Sequence, residues 1–328
     1  MRGEILSLLR EKKTYVSGQQ LCEQFGVSRT AVWKAIEQLR KEGYQIQAVQ
    51  NKGYILVEQE QEEHFNGAEL ASRMDTRWAG KKLFFYDSID STNTEAKRLG
   101  EEGACDGTLV VADMQTAGKG RRGRSWLSPA HTNVYFTLLL RPHFAPDRAS
   151  MLTLVIAHSM CRAVKEVTGL EVGIKWPNDI VVSGKKICGI LTEMNVELNE
   201  IRYVVIGVGI NVREQEFPEE IREKAIALDA ACGKQVDRTR LVAAIMKAFE
   251  EDYEKFLEKV SMEELQKSYE EMMVNSGKEV CVLDPKGEYR GIARGINTTG
   301  ELLVELPDGQ IREVYAGEVS VRGVYGYV

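Results

Sequence analysis

Gln115-Thr116-Ala117-Gly118-Lys119-Gly120-Arg121-Arg122-Gly123-Arg124-Ser125-Trp126 is the segment of the chain that constrains its fold most strongly. Residues 118–124 hold four cations and three glycines, so the segment cannot be buried. Glycines give the backbone freedom and expose N–H groups, and the cations add a dense positive field. This combination favours a loop that grips a polyanion such as a nucleoside triphosphate. The alternative is an ordinary solvated basic loop.

Three residues of this segment, Gly118, Gly120 and Gly123, fit the G-x-G-x-x-G pattern of dinucleotide-binding folds. That pattern must open a helix, whereas here Pro129 follows closely, and proline is excluded from a regular helix interior. The Gly-Lys-Ser/Thr of a Walker loop is also missing at the required distance. The segment therefore predicts a ligand-binding loop outside both of these nucleotide-binding folds.

The length and composition indicate a globular protein. The chain has 328 residues, 43% of them hydrophobic, which is enough for two or three domains. No apolar run approaches the roughly 20 residues needed to span a bilayer, so we expect a cytoplasmic protein without membrane contact. The six cysteines form no C-x-x-C pair and the four histidines show no metal-ligand spacing, which predicts free thiols and no structural metal.

The charge is distributed unevenly along the chain. Residues 1–57 carry nine Lys and Arg against five Glu, a net charge of +4. Because the whole chain carries −6, the remaining residues carry −10. A basic amino-terminal part on an acidic body predicts a separate domain that binds a polyanion.

The basic part has the pattern of a winged helix-turn-helix. Ile5, Leu8 and Leu9 give a first amphipathic helix, and Ser17-Gly18-Gln19-Gln20 is a capping box that begins a second helix. Ser28 caps a third helix, which would be the recognition helix in a major groove.

The outer face of that third helix and the hairpin after it provide the predicted DNA contacts. Tyr44–Val57 reads as two short strands around Asn51–Gly53, a basic wing. The alternative is a three-helix bundle with a charged surface. The residues that we expect to contact DNA are Ser28, Arg29, Thr30, Trp33, Lys34 and Lys52.

The rest of the chain predicts an α+β domain followed by a small barrel, after an acidic connection at residues 58–63. Turns at Ser183-Gly184 and Leu198-Asn199 indicate hairpins in a largely antiparallel sheet. The predicted strands are Leu83–Tyr86, Leu109–Ala112, Val134–Leu140, Ile180–Val182, Ile187–Met194, Tyr203–Val212, Glu279–Leu283, Tyr289–Ile296, Leu302–Leu306 and Ile311–Tyr315. The predicted helices are Thr94–Leu99, Asp147–Thr168, Arg238–Lys259 and Met262–Val274.

Five segments in one order resemble the biotin protein ligases, in particular the type that also represses transcription. These segments are Asp90–Asn93, Gln115–Trp126, Lys175–Asp179, Gly184–Ile190 and Gly207–Asn211. The helix-turn-helix and the carboxy-terminal barrel extend the resemblance across nearly the whole chain. The sequence departs from the family pattern at Lys119, where arginine is common; a point charge replaces a bidentate fork there.

The resemblance implies three domains: a winged helix-turn-helix at 1–60, a biotin- and ATP-binding catalytic domain at 67–275 and an SH3-like barrel at 276–328. The catalytic domain would be a mixed sheet with helices, similar to class II synthetases.

The resemblance also implies a biotin site, and the residue chemistry is compatible with it. Ser91, Thr92 and Asn93 offer short hydroxyl and amide groups for a ureido ring, although Ser-Thr-Asn is also a common helix cap. Lys186 enters an apolar run after Gly184 and would meet the carboxylate and the α-phosphate, unless it is an exposed hairpin cation like Lys185. The implied biotin-binding residues are Ser91, Thr92, Asn93, Gln115, Lys119, Gly120, Arg121, Lys186 and Gly207.

The nucleotide would lie beside the biotin. Asp179 is expected to bind Mg²⁺ together with triphosphate oxygens, although Asn178-Asp179 could also be a self-satisfied turn. Trp126 would stack on adenine or anchor the loop. The implied nucleotide-binding residues are Arg121, Arg122, Arg124, Trp126, Lys175, Asn178 and Asn211, and the implied catalytic residues are Lys186, Arg121 and Asp179.

The implied reaction has two steps and needs no enzyme nucleophile. ATP and biotin form biotinyl-5′-adenylate, and a lysine of a biotin carboxyl carrier domain then displaces AMP. The adenylate would also be a corepressor that drives a homodimer onto operator DNA. Two alternatives stay open: a biotin-sensing repressor without ligase activity, and a lipoate-attaching enzyme of the same broad fold.

Overall fold

The computed structural model describes residues 1–57, 63–284, 287–315 and 320–323. The chain divides into two compact units. Unit 1 comprises Met1–Asp75 and Asp237–Ala243, and unit 2 comprises Thr76–Val236 and Ala244–Val328. Most of the predicted acidic connection, residues 58–62, lies outside the described residues.

Unit 1 contains the predicted helix-turn-helix and its hairpin. Its elements are α1 (Arg2–Lys12), α2 (Gly18–Phe25), α3 (Arg29–Lys41), β1 (Ile46–Val49), β2 (Gly53–Leu56) and α4 (Gly67–Arg73).

Local hydrogen bonds explain where these first helices begin. The predicted capping box is present, because Ser17 Oγ accepts from Gln20 N at 3.1 Å while Gln20 Oε1 accepts from Ser17 N at 2.9 Å. Ser28 Oγ accepts from Ala31 N at 3.2 Å and caps α3. Val32, Ile36 and Leu39 are buried, as the helical pattern of α3 predicts.

Helix α4 was not predicted, because its seven residues are too few to show a helical repeat. Asn66 caps it by accepting from the amides of Ala68 and Glu69. It packs tightly on α1: a Cβ at Gly3 would lie 2.6 Å from the Cβ of Ala71. The helix-turn-helix therefore shares its hydrophobic core with α4, which follows it in the chain after residues 58–62.

Except for residues 238–243 at the start of its longest helix, which belong to unit 1, unit 2 holds the remaining elements. They are β3 (Leu83–Tyr86), α5 (Thr92–Glu101), β4 (Thr108–Ala112), β5 (Val134–Leu140), α6 (Met151–Thr168), β6 (Gly173–Lys175), β7 (Asp179–Val182), β8 (Lys185–Glu197), β9 (Glu200–Ile210), α7 (Glu219–Arg222), α8 (Leu228–Cys232), α9 (Arg238–Lys259), α10 (Gln266–Met272), β10 (Glu279–Asp284), β11 (Gly287–Ile296), β12 (Leu302–Glu305), β13 (Ile311–Val314) and β14 (Ser320–Gly323).

The central sheet has seven strands in the order β3-β4-β5-β9-β8-β7-β6. Only the β3–β4 pair is parallel, so the predicted antiparallel character is confirmed. Both predicted hairpin tips are present, with left-handed backbone at Ser183, Gly184, Leu198 and Asn199. The short strand β6 was not predicted.

Two helices were predicted to begin four residues too early. The helix predicted from Asp147 begins at Met151, because a separate 3₁₀ turn occupies Pro146–Arg148. The helix predicted from Met262 begins at Gln266. The amide of Met262 instead donates to Thr298 O at 2.8 Å, which holds the preceding residues in a turn.

The carboxy-terminal strands form an antiparallel sheet in the order β13-β12-β11-β10-β14, of which β14 was not predicted. Trp176 Nε1 donates to Gly300 O at 3.2 Å, so this sheet packs on the central domain. Pro285 and Lys286, which fall in a predicted turn, lie outside the described residues. Among the described helices, none combines the length and hydropathy that crossing a bilayer requires.

Candidate functional site

The main candidate site is a cleft in unit 2, which we call the first cleft; with its open mouth it encloses about 460 Å³ of empty space. It lies where the start of α5, the loop after β4, the first half of β8 and the end of β9 meet. The residues that line it are Ser91, Thr92, Asn93, Gln115, Lys119, Gly120, Arg121, Trp126, Asn178, Lys186, Gly189, Ile190, Leu191, Gly207, Val208 and Gly209.

The structure therefore brings together every residue that was predicted to bind biotin, and three of those predicted to bind nucleotide. Other predicted site residues do not line the first cleft: Arg122, Arg124, Lys175, Asp179 and Asn211. The lining residues Gly189, Ile190, Leu191 and Val208 were not assigned a role from the sequence.

The glycine-rich loop folds as a small hairpin over the cleft. Trp126 N donates to Gly118 O at 2.9 Å, and Gly120 N donates to Arg124 O at 2.7 Å. Arg122 adopts left-handed backbone at the tip, with φ 56°. The tip residues Arg122 and Arg124 are thereby exposed, while Arg121 turns inward.

Glycines on two strands provide room for large side chains in the cleft. Cβ atoms at Gly189 and Gly209 would lie 2.9 Å and 2.5 Å from the indole of Trp126. A Cβ at Gly207 would lie 2.0 Å from Asn93 Oδ1. Any larger residue at these positions would displace Trp126 or Asn93.

The start of α5 presents polar groups to the cleft. Ser91 is at the cap position of α5, but its hydroxyl makes no capping hydrogen bond. Gln115 Oε1 accepts from Thr92 N at 2.9 Å and lies 3.1 Å from Thr92 Oγ1. Gln115 Nε2 donates to Ser128 Oγ at 3.0 Å, which fixes the orientation of the Gln115 amide.

A chain of hydrogen bonds continues from Thr92 to the far side of α5. Thr137 Oγ1 lies 2.9 Å from Thr92 Oγ1 and 2.6 Å from Asn93 Oδ1. Asn93 Nδ2 donates to Glu193 Oε2 at 2.8 Å, and Lys97 Nζ donates to Glu193 Oε1 at 2.5 Å. Thr137 and Glu193 were missed from the sequence; the only available signal was a lone threonine in the apolar run of β5.

Three cations line the cleft: Lys119, which donates to Thr94 of α5 at 3.1 Å, Arg121 and Lys186. Lys186 Nζ lies 2.6 Å from Asp179 Oδ1 and 5.3 Å from the centroid of the Trp126 ring. Arg121 Nη1 donates to Asn178 Oδ1 at 2.7 Å. Burial lowers the pKa of Arg121, although the nearby Asp179 carboxylate opposes this effect. The arrangement can neutralise an anion inside the cleft.

A second cleft lies beside the first and shares Arg121, Asn178, Ile190 and Leu191 with it. It follows β8 from Ile190 to Met194. Ile190 N still donates to Asn178 O at 2.9 Å, and beyond that residue β9 is the one ladder partner of β8 among the described strands. The other walls of the second cleft come from the start of α6 and from Tyr315.

Metal-binding groups are sparse. Across the described ranges, no cluster of three or more His, Cys, Asp or Glu side chains could hold a metal ion. Asp179 is a carboxylate beside the first cleft, and it is already paired with Lys186. A divalent cation at this point would need most of its ligands from a bound phosphate and water.

Unit 1 presents a separate candidate nucleic-acid interface. Helix α3 has four exposed residues of the predicted set: Arg29, Thr30, Trp33 and Lys34. Trp33 is 54% exposed, which is unusual for so large an apolar side chain. Lys52 is exposed in the wing and lies over the Tyr15 ring at 5.7 Å. Ser28 Oγ is used by the helix cap. Most of the exposed set lies on the third helix, the element that enters the major groove in helix-turn-helix proteins.

Comparison with protein families gives three matches. Residues 2–55 match an HTH domain, residues 85–211 match the Biotin/lipoate A/B protein ligase family, and residues 276–322 match the Biotin protein ligase C terminal domain.

Individual relatives match over most of the chain. A protein named bifunctional ligase/repressor BirA from Bacillus subtilis is 36% identical over 324 residues, covering 98% of each chain. Its namesake from Escherichia coli is 33% identical and covers 93% of this chain and 92% of its own. The solved structure of a biotin protein ligase from Aquifex aeolicus, in complex with biotin and ATP, is 35% identical with a TM-score of 0.65, over 74% of this chain and 99% of that one.

Proposed function

This chain belongs to the biotin/lipoate A/B protein ligase family, and we infer that it is an ATP-dependent biotin protein ligase that also represses transcription. It forms biotinyl-5′-AMP and transfers the biotin to a lysine of a carrier protein. The observation that carries the ligase half is the convergence of polar α5 residues and loop cations in one cleft.

The two ends of the first cleft suit the two ends of biotin. We propose that Ser91, Thr92 and Asn93, with Gln115, bind the ureido ring. Lys119, Gly120, Gly207 and Lys186 complete the biotin site, and Arg121 reaches the carboxylate end. We propose that the nucleotide lies against Trp126 and Asn178, and that Arg122, Arg124, Lys175 and Asn211 also contribute to its binding.

The first step joins two anions, and this chain's cations make that possible. The biotin carboxylate oxygen forms a bond to the α-phosphorus of ATP, while the bond to the pyrophosphate oxygen breaks and pyrophosphate leaves. Lys186 and Arg121 offset the repulsion between the carboxylate and the triphosphate. The main catalytic contributions are positioning and charge neutralisation.

The second step brings in the acceptor. The lysine amine of a biotin carboxyl carrier domain attacks the carbonyl of the adenylate, the bond to AMP breaks, and the amine loses a proton. We propose that the acceptor enters through the second cleft, which adjoins the first at Arg121 and Asn178. Beyond Ile190, β8 has a ladder partner only in β9 among the described strands, so its other edge can receive an incoming strand.

Mg²⁺ fits this site only as a companion of the triphosphate. We propose that Asp179 contributes one oxygen and that phosphate and water supply the others. The ion would neutralise charge on the leaving pyrophosphate.

The repressor half depends on the helix-turn-helix of unit 1. We propose that Ser28, Arg29, Thr30, Trp33 and Lys34 contact operator DNA, with Lys52 of the wing on the phosphate backbone. We further propose that biotinyl-5′-AMP is the corepressor because it favours a homodimer, which places two heads on a palindrome.

The finer organisation is also a proposal. We assign domains to residues 1–60, 67–275 and 276–328, with a class II synthetase-like centre and an SH3-like barrel at the end. Such a barrel is compatible with the antiparallel order of β10 to β14. We propose a cytoplasmic location, supported by six free cysteines.

One experiment tests the ligase function directly. The protein is incubated with biotin, ATP, Mg²⁺ and a purified biotin carboxyl carrier domain, and the carrier is analysed by mass spectrometry. We expect one added biotinyl group that requires ATP. An unmodified carrier, together with no biotin-dependent exchange of pyrophosphate into ATP, would contradict the ligase assignment.

A further inference from the structure

The hydrogen-bond chain behind the first cleft has a direction that is set by one carboxylate. Glu193, on β8, accepts a hydrogen bond from Lys97 Nζ at Oε1 and one from Asn93 Nδ2 at Oε2. Burial by itself raises the pKa of Glu193, but the hydrogen bonds from Lys97 and Asn93 outweigh it and leave the pKa below its ordinary value. Glu193 is therefore an anion at neutral pH, and it only accepts.

The charge of Glu193 fixes the amide of Asn93. The Nδ2 group faces two acceptors, Glu193 Oε2 at 2.8 Å and Leu191 O at 3.4 Å. In the flipped orientation, Asn93 Oδ1 would face the carboxylate, and two acceptors would meet without a proton. Asn93 Oδ1 must therefore point at Thr137, which donates to it at 2.6 Å.

The single proton of the Thr137 hydroxyl is used by that bond. Thr137 is also oriented as a donor towards Thr92 Oγ1 at 2.9 Å, but its one proton cannot serve both partners, and Asn93 Oδ1 holds it. The proton of Thr92 is donated to Gln115 Oε1 at 3.1 Å. The Thr92 oxygen therefore keeps a lone pair for a donor in the cleft.

We propose that Glu193 is a positioning residue that makes Thr92 an obligatory hydrogen-bond acceptor, so that the first cleft selects a ligand with an N–H donor at this point. This inference rests on the proposed function, in which the donor is a ureido N–H of biotin. Glu193 would act only through Asn93 and Thr137.

Because these side chains are buried, reversing the donor-to-acceptor direction of their hydrogen bonds would be costly. Thr92 and Asn93 are each 4% exposed and Thr137 is fully buried, so water cannot supply a missing proton. The absent side chain at Gly207 leaves the space that Asn93 occupies. A ligand with a hydrogen-bond acceptor at the same point would place its lone pair against that of Thr92 Oγ1. A ligand with an N-methyl group there would clash with Thr92.

The test compares Glu193→Gln with Glu197→Gln, a matched change on the same strand at an exposed position paired with Arg202. A glutamine at position 193 can donate as well as accept, so Asn93 is free to flip. Dissociation constants are measured by calorimetry for biotin and for biotin methylated on a ureido nitrogen. Biotin-dependent pyrophosphate exchange gives kcat and KM for the first step.

For Glu193→Gln we expect the affinity for biotin to fall about tenfold, the value of one hydrogen bond, with a matching rise in KM and little change in kcat. The preference for biotin over the methylated analogue should shrink by a similar factor. Glu197→Gln should match the parent protein. Thr137→Val breaks the same chain, so its effect should not add to that of Glu193→Gln.

Unchanged biotin affinity and unchanged discrimination in Glu193→Gln would overturn the inference. Fully additive effects of Glu193→Gln and Thr137→Val would also overturn it, because two links of one chain cannot act independently. Absence of biotin-dependent exchange in the parent protein would instead overturn the proposed function, and the two failures are thereby distinguishable.

Discussion

Arg121 is the loop cation that turns into both clefts, and we expect its removal to affect the adenylate more than biotin. Its guanidinium lies beside Asn178 and near Asp179, where the phosphate would bind. A charge-assisted hydrogen bond contributes about 1.5–3 kcal/mol, so Arg121→Ala should weaken binding of a non-hydrolysable adenylate analogue roughly ten- to a hundredfold. Free biotin should lose less affinity when both are measured by calorimetry, because Lys186 still neutralises its carboxylate and it has no phosphate contact to lose.

Arg148→Ala is a suitable control, because Arg148 is a partly exposed arginine that pairs with Asp147 and lines neither cleft. It should leave both affinities as they are in the parent. Equal losses for biotin and for the adenylate analogue in Arg121→Ala would contradict a phosphate contact.

Lys186 provides the second residue-level prediction. Replacing it with methionine keeps an apolar stem but removes the charge between two anionic reactants. We expect biotin-dependent pyrophosphate exchange to drop at least about a hundredfold. The thermal midpoint should stay within a few degrees of the parent, since the partner Asp179 remains 16% exposed and can be hydrated.

The adjacent residue is the control for this change. Lys185→Met, on the same strand, should retain normal turnover because Lys185 does not line the first cleft. Near-normal turnover of Lys186→Met would make Lys186 an ordinary hairpin cation, which was the alternative interpretation of the sequence.

Sequence patterns predicted many of the residues that line the first cleft, but not the residues that hydrogen-bond to them from behind. Ser91, Gln115 and Lys186 are each embedded in short polar or glycine-containing segments that a sequence displays directly. Thr137 and Glu193 belong to long strands, and their importance comes from contacts with α5 across the fold. Sequence distance hides such contacts, so the one local signal was the lone threonine in the apolar run of β5.

At the level of elements, the buried carboxylate of Glu69 joins α4 to the helix-turn-helix. Glu69 is 4% exposed. Its two oxygens each accept a hydrogen bond from Arg10 Nη2 at 3.0 Å. The carboxylate also accepts from Arg73 Nε at 2.7 Å and from the hydroxyl of Tyr44 at 3.0 Å. Glu69→Gln removes one charge and leaves two arginines facing a neutral amide. We expect it to destabilise unit 1 by about 1.5–3 kcal/mol.

Hydrogen exchange followed by mass spectrometry measures this loss locally. Peptides from α1 and α4 should exchange faster in Glu69→Gln, whereas Glu4→Gln, an exposed change on α1, should have little effect. Unchanged protection of both helices would contradict the proposed role of Glu69 in unit 1.

Tyr44 gives the same network a dependence on pH. Burial, followed by the charge of Glu69, raises the pKa of Tyr44 well above its ordinary value. In the unfolded chain a tyrosine ionises near pH 10, so above that pH unfolding releases a proton that folded Tyr44 retains. The stability of unit 1 should therefore fall by up to about 1.4 kcal/mol per pH unit as the pH rises beyond 10.

Tyr44→Phe should remove this slope, because phenylalanine preserves the ring that stacks on His64 but has no proton to lose. Tyr15→Phe, at an exposed tyrosine, serves as the comparison. Exchange in α4 between pH 9 and 11 is the measurement. Parallel pH profiles for the parent and Tyr44→Phe would exclude Tyr44 as the titrating group.

Elements with strong local signals were predictable, and those formed by tertiary contacts were not. The capping box of α2 and the turn at Ser183-Gly184 are local devices that act within a few residues. In contrast, β6 has three residues, too few to show the alternation of a strand, and Ile174 also bridges the distant Met273. Helix α4 likewise depends on its contact with Gly3 of α1.

On the scale of the whole molecule, charge separates the two functions along the chain. Residues 1–57 have a net charge of +4, while the rest of the chain carries −10. An acidic body repels DNA, so nucleic-acid affinity must come from the basic head. All residues that line the first cleft belong to unit 2. Removing the head should therefore separate the two activities.

The structure indicates where to remove it. A cut after residue 66 would keep α4 but delete its partner α1, leaving Glu69 without Arg10 and Tyr44. Deleting residues 1–75 removes α4 as well and leaves unit 2 whole. We expect the second truncation to keep biotin-dependent pyrophosphate exchange at least in part, and to form fewer aggregates than the first in size-exclusion chromatography.

The same pair of proteins tests the repressor function. Duplex DNA is first selected from a random library by the full-length protein in the presence of biotin, ATP and Mg²⁺. The deletion of residues 1–75 should abolish binding to the selected DNA in a fluorescence anisotropy titration, because Arg29, Trp33, Lys34 and Lys52 are gone.

The affinity of the full-length protein for this DNA should fall as the salt concentration rises. The logarithm of the association constant should decrease with the logarithm of the salt concentration with a slope of about −5, if three cations from each of two heads neutralise phosphates. The affinity should rise when biotin and ATP are added together, since the adenylate is proposed to favour the dimer that presents two heads. Binding that survives the deletion, or full-length binding that ignores biotin and ATP, would remove the repressor function from this protein and leave its ligase function intact.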